Sequence, residues 1–157
     1  RDDIELIRFI VEQCWGQAPG DSEYRRKINS IVHDYYSYGK LTNEINNDVS
    51  TFLLAIDGEL AVAFASYRFD KSDVISSELK ALYCLPQTQG KRFDELLVNE
   101  VIKNTIAAGG NKIFVVLTNY NGPVGLFERL GFEPVKMTDD KKLDPEILMM
   151  SKTIAIS

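Results

Sequence analysis

A strand–helix–strand unit in the second half of the chain constrains the fold more than any other feature. Glu78 to Leu85 reads as a strand and stops at Pro86, which has no N–H to give to a ladder. Gln87 to Lys91 is a polar loop. Phe93, Leu96, Leu97 and Val101 then recur at helical spacing, and the pattern ends at Gly109-Gly110, where glycine takes the left-handed geometry that terminates helices. Ile113-Phe-Val-Val-Leu117 is a continuous apolar run, as a strand covered on both faces requires. One helix between two such strands makes them parallel neighbours joined by a right-handed crossover.

The flanking segments complete the architecture. Ile4, Ile7, Val11 and Cys14 follow Asp2 and Asp3 at helical spacing, so residues 3–15 read as an amphipathic helix broken by Gly16 to Gly20. Asp21 and Ser22 offer new caps. Tyr24, Ile28, Ile31, Val32 and Tyr35 make a second stripe running to Gly39, so two helices are expected before any strand. Residues 51–57 and 60–69 flank Asp57-Gly58, a pairing that favours a tight antiparallel hairpin. Pro123 suits a first helical turn, Val124, Phe127 and Leu130 share a face, and Gly131 stops that helix. Residues 132–137 and 147–154 read as closing strands around the charged loop 139–142. The expectation is one α/β domain over residues 1–157, with helices flanking a mixed, mostly antiparallel sheet. At 157 residues it buries a core without disulfides.

Charge and residue usage narrow the chemistry. A formal net charge of -5 gives no basic footprint for a nucleic-acid backbone. It would steer cationic amines weakly, and it does not forbid an anionic cofactor held by backbone amides. Cys14 and Cys84 lie far apart, and His33 is the single histidine, so no metal-ligand set follows from spacing. No apolar run approaches the ~20 residues of a membrane span, and the amphipathic start is unlike a signal peptide, so the cytoplasm is the expected location.

Two ordered motifs add an identity. The segment Glu78-Leu-Lys-Ala-Leu-Tyr-Cys-Leu-Pro-Gln-Thr-Gln-Gly-Lys91, followed by helix, strand and Leu126-Phe-Glu-Arg-Leu-Gly-Phe132, resembles the GNAT superfamily of acyl-CoA-dependent acetyltransferases. The resemblance covers residues 78–137. It implies the GNAT fold, with the two parallel strands diverging at their C-terminal ends, acetyl-CoA as cosubstrate, and a primary amine on a small molecule or protein attacking the thioester directly. Leu82, Cys84 and Leu85 would then face the pantetheine arm. Gln89, Gly90, Lys91, Arg92 and Asp94 would hold the phosphates, where loop amides and a helix N-terminus form an anion site. Asn119 or Asn121 matches a cofactor-binding asparagine, the register being open by a residue or two. Glu78 matches the glutamate that many members use as general base.

The same alignment shows departures. The family loop, Q/R-x-x-G-x-G/A, places Arg92 and Asp94 where small residues are expected. A carboxylate about 5 Å from a phosphate charge costs roughly 3 kcal/mol at an effective dielectric near 20. Arg92 and Lys91 offset this if they reach the phosphates themselves. The family's proton-donating tyrosine on the last helix is Phe127 here, which leaves Tyr120, Tyr83 or water to protonate the departing thiolate. Trp15, Tyr35, Tyr36 and Tyr38 fall on the helices that border the family's acceptor groove, although most aromatics at helical spacing are core. Members usually open with a strand before the first helix, so that strand is either absent or precedes the chain as given.

Arg92, Asp94 and Phe127 together motivate a second reading, a GNAT-fold module that binds a ligand or partner without acyl transfer. A mononucleotide-binding α/β domain is disfavoured by the lack of a G-x-x-x-x-G-K-S/T or G-x-G-x-x-G loop. The acceptor's identity is not written in the sequence, and a homodimer stays open.

Overall fold

The computed structural model describes residues 2–16, 22–47, 50–70, 76–88, 90–117, 124–135 and 148–154. The elements run α1 (Asp2–Gly16), α2 (Ser22–Tyr36), α3 (Tyr38–Asn46), β1 (Thr51–Asp57), β2 (Leu60–Asp70), β3 (Ser76–Cys84), α4 (Phe93–Ala107), β4 (Lys112–Leu117), α5 (Val124–Arg129), β5 (Glu133–Pro134) and β6 (Leu148–Thr153). The strands form a six-stranded sheet in the order β1-β2-β3-β4-β6-β5. By contacts the chain divides into two compact units, residues 1–66 with 82–97 and residues 67–81 with 98–157.

The first unit holds the three N-terminal helices, the hairpin and the start of α4. Ile4, Ile7, Ile10 and Val11 of α1 are buried, as the helical spacing of the sequence dictates. Each such side chain contributes about 1.5–3 kcal/mol on burial. Arg8 Nε donates to the Tyr36 carbonyl at 3.1 Å and ties α1 to the end of α2. The second stripe does not run through to Gly39. Ser37 turns extended (φ -68, ψ 155) and its side chain accepts from Lys40 N–H, which caps a new helix and leaves Gly39 inside α3. Among the described residues three helices therefore precede the first strand. The hairpin turns at Gly58 with φ 67, while Glu59 keeps a negative φ. Glycine at the first turn position is what a two-residue II′ hairpin asks for.

The second unit contains the crossover. β3 and β4 are parallel, paired from Ser76↔Lys112 to Leu79↔Val115. The ladder ends there, although β3 continues to Cys84. β4 pairs antiparallel with β6 over six residues, and β5 adds two antiparallel pairs to β6. Thr105 of α4 meets Ser77 of β3 through a buried hydroxyl pair at 2.5 Å. The buried stripe of α4 is Leu97, Val98 and Val101, with Leu96 60% exposed rather than on that stripe. β5 lies within the expected strand, and Val135 N–H just beyond it donates to the Met149 carbonyl at 2.9 Å. Among the described residues no helix is long and apolar enough to cross a membrane.

Candidate active site

The connection from β3 to α4 is built on Thr88. Leu85 N–H donates to the Val62 carbonyl at 2.8 Å, and the Leu85 carbonyl accepts from Thr88 N–H at 2.9 Å and Thr88 Oγ1 at 2.6 Å. Lys91 N–H then donates to the Thr88 carbonyl at 3.1 Å. Buried Thr88 thus fixes a tight turn whose next residues are forced left-handed: Gly90 has φ 89 and Arg92 has φ 60. Among the described residues Arg92 is the sole non-glycine with positive φ. Such a residue carries about 1–2 kcal/mol of strain. The Arg92 carbonyl accepts from Leu96 N–H, so this strained residue opens α4. Gln89 lies outside the described residues.

The helix start is already occupied by charge. Asp94 Oδ1 accepts from the backbone N–H of Glu95 at 2.8 Å, satisfying an amide that the first turn leaves without a helical partner. A phosphate using the same amide would have to displace this carboxylate. Lys91 Nζ lies 3.6 Å from Asp57 Oδ2 at the end of β1, which draws its ammonium toward the hairpin. The pair is exposed on both sides and is worth well under ~1 kcal/mol.

At the end of β3, Cys14 Sγ donates to the Cys84 carbonyl at 3.2 Å. Sequence spacing gave no hint of this contact. Both thiols are free. Burial pushes the Cys84 thiol up to about 12, with Asp94 and Cys14 adding to it, and burial alone pushes Cys14 up to about 11. Leu85's amide is engaged by Val62. Strand alternation therefore turns the amides of Leu82 and Cys84 to the opposite side, away from β2.

Glu78 sits in β3 in register with Phe114. Its Oε1 accepts from Arg68 Nε at 2.6 Å, and its side chain is 20% exposed. Phe127 is buried and meets Phe132 edge-on at 5.4 Å, so it contributes packing and no proton. Asn119, Tyr120 and Asn121 lie outside the described residues, as does the side chain of Trp15.

An aromatic cluster lies in the first unit. Tyr83 stacks on Phe64 at 5.3 Å, and Tyr36 is edge-on to both, 6.3 Å from Phe64 and 6.0 Å from Tyr83. Phe52 joins at 6.3 Å from Phe64. The Tyr36 hydroxyl is held well above the usual phenol range by burial, then by the charge of Tyr83, a hydrogen bond with Tyr83, and the charge of Glu44. Tyr35 and Tyr38 are exposed.

Comparison with known proteins agrees with this fold. The FR47-like protein family model matches residues 62–139. A PaiA N-acetyltransferase from Thermoplasma acidophilum, solved with coenzyme A, superposes with a TM-score of 0.76 at 23% identity, covering 97% of this chain and 93% of its own. A GCN5-related N-acetyltransferase from Rhodopseudomonas palustris gives 0.70 at 18% identity, over 98% and 91%. An aminoglycoside 6'-acetyltransferase type Ii gives 0.64 at 18%, over 98% and 91%. No curated protein sequence matches. The ordered motifs, the strand order with β3 and β4 parallel, and the matched segment give this chain the fold of the GNAT acetyltransferases.

Proposed function

We propose that the chain is an acetyl-CoA-dependent N-acetyltransferase acting on a primary amine. The observation that carries this reading is the backbone of the β3–α4 connection. Arg92, at the family's glycine position, keeps the left-handed conformation at a steric cost, next to left-handed Gly90. A turn freed from ligand binding would have no reason to retain that strain. The similar Thermoplasma protein is a complex with coenzyme A, and an aminoglycoside acetyltransferase shares the fold, which supports both halves of the assignment.

In this reading the thioester supplies the acyl group, and the amides of Leu82 and Cys84 bind the pantetheine arm. Gln89, Gly90, Lys91 and Arg92 hold the phosphates, with Asn119 or Asn121 contributing. The amine must be neutral to attack, so Glu78 takes its proton directly or through water. Arg68 bonds Oε1 of Glu78 and orients the carboxylate for that transfer. Phe127 has no proton to give, so Tyr120, Tyr83 or water protonates the thiolate.

Asp94 favours a second reading, a GNAT-fold binding module without transfer, because its carboxylate holds an amide that a phosphate would use. Calorimetry with acetyl-CoA, followed by an amine panel, separates the two. The enzyme reading expects binding and turnover, with Glu78→Gln lowering kcat by about 10²-fold and leaving cofactor affinity nearly unchanged. Absent acetyl-CoA binding, or an unchanged rate in Glu78→Gln with chemistry rate-limiting, goes against the enzyme or the base respectively.

A further inference from the structure

The contact between α1 and the end of β3 bears on how the cosubstrate is admitted. The peptide joining Cys84 to Leu85 is trans, so its N–H and C=O point in opposite directions. That N–H donates to the Val62 carbonyl of β2 at 2.8 Å, which aims the Cys84 carbonyl away from β2. On that side the ladder with β4 has ended at Leu79↔Val115, and the donor that meets the carbonyl is Cys14 Sγ at 3.2 Å. Both cysteines are half-buried and free. A carbonyl so placed needs a donor, and a thiol is a weak one beside an amide N–H. The pattern repeats at neighbouring groups of the same compact unit. The Glu95 amide is held by Asp94 Oδ1 at 2.8 Å, and the Lys91 ammonium lies 3.6 Å from Asp57 Oδ2. Carboxylates stand there in the place proposed for phosphates, as the thiol stands in the place of an amide.

We propose that Cys14 is a gate for the cosubstrate: its S–H occupies the Cys84 carbonyl in the empty chain and turns off it when an amide N–H of the pantetheine arm takes that carbonyl. The inference rests on the acetyl-CoA reading above and adds to it a side chain of α1 that sets cosubstrate affinity. Cys14 acts through the Cys84 carbonyl and touches no reacting atom, so it is a positioning residue. One donor leaves as the other arrives, so the exchange keeps the carbonyl satisfied throughout. Binding then costs only the thiol's own bond. A weak donor keeps that cost small, a hydroxyl in its place would raise it, and a methyl would abolish it.

Calorimetry with coenzyme A and with 3′-phospho-ADP, the same nucleotide lacking the arm, tests this. Cys14→Ala is expected to tighten coenzyme A by about two- to fivefold, the equivalent of one weak hydrogen bond, and to leave 3′-phospho-ADP unchanged. The empty variant should melt at a lower temperature than empty wild type, because its Cys84 carbonyl has lost a donor. A merely structural role would lower stability without separating the two ligands. Infrared spectroscopy reads the exchange with position 14 intact, and serves where Cys14→Ala fails to fold. Cys84→Ala leaves Cys14 as the one thiol of the chain, and acetyl-CoA brings none, so the S–H stretching band should rise in frequency when acetyl-CoA binds. Equal or weaker coenzyme A binding in Cys14→Ala, a parallel change with 3′-phospho-ADP, or an S–H band unmoved by bound acetyl-CoA overturns the gate and leaves the acetyl-CoA reading standing. A wild type that binds no coenzyme A removes that reading and the gate with it.

Discussion

The two ends of α4 solve the same geometric problem with different residues. At the C-terminal end Gly109 is left-handed (φ 90), Gly109 N–H donates to the Ile106 carbonyl and Gly110 N–H to the Thr105 carbonyl. This is the paired bonding by which glycine closes a helix. At the N-terminal end the left-handed residue is Arg92 (φ 60), whose carbonyl accepts from Leu96. Glycine enters that region freely, and arginine pays about 1–2 kcal/mol to do so. A pure turn takes the cheap residue, as the C-terminal end does. The costly one persists at the end where a polyanion is expected, and its guanidinium is what glycine could not supply.

The largest effect that sharpens this contrast is on Asp94. Removing its charge beside bound phosphates should tighten coenzyme A by up to about a hundredfold in Asp94→Gly, the equivalent of roughly 3 kcal/mol of relieved repulsion. The variant also loses the bond to Glu95 N–H, so it should be less stable by up to ~1 kcal/mol. Titration at low and high salt measures the first, with the gain shrinking as ions screen it. No binding in either form would break the comparison, leaving two helix ends that differ for no ligand's sake. Next in size, Gly109→Ala should destabilise by about 1–2 kcal/mol in urea unfolding without touching coenzyme A affinity, since a Cβ is forced into the left-handed region. Arg92→Gly should move the two readouts the other way. Relief of strain, less the entropy glycine loses on folding, leaves a stability gain of at most ~1 kcal/mol, while coenzyme A binding weakens. A variant that gains stability and binds equally well would make Arg92 an accident of sequence.

Much of the fold was legible because periodicity reports burial. The run Ile113 to Leu117 and the stripe of α1 appear where their spacing puts them, and the parallel pairing of β3 with β4 followed from one intervening helix. The restart at Ser37 was missed because a single serine in an extended conformation outweighed the continuing apolar pattern. Leu96 was misassigned because three apolar residues in succession, Leu96 to Val98, leave the face ambiguous by one position. The loop was legible as a motif, yet its strain at Arg92 was not, since φ is not written in residue type. Tyr83 was a candidate by position alone. Its stacking on Phe64 and its edge-on contact with Tyr36 could not be read, because residues far apart in sequence meet only when tertiary contacts assemble them.

As titrating groups the thiols act only at alkaline pH. Cys14 and Cys84 have values raised from 9.0 to about 11 and about 12, so the unfolded chain releases protons first as pH rises. Their contribution to stability is whole below pH 9 and fades as pH climbs through 11–12. Unfolding curves between pH 8 and 11 should show this alkaline loss, and Cys84→Ser should lessen it.

Burial that raises the Cys84 thiol from 9.0 to about 12 leaves it almost wholly protonated at pH 7. Such a side chain is almost inert toward electrophiles. A free thiolate at the strand end proposed to carry a thioester would exchange with it and end as an S-acetylated protein, a dead-end adduct made from the protein's own cosubstrate. In the proposed acetyltransferase the burial that raises Cys84 would thus work as chemical insulation, leaving the acyl group to an incoming nitrogen rather than to the nearest sulfur.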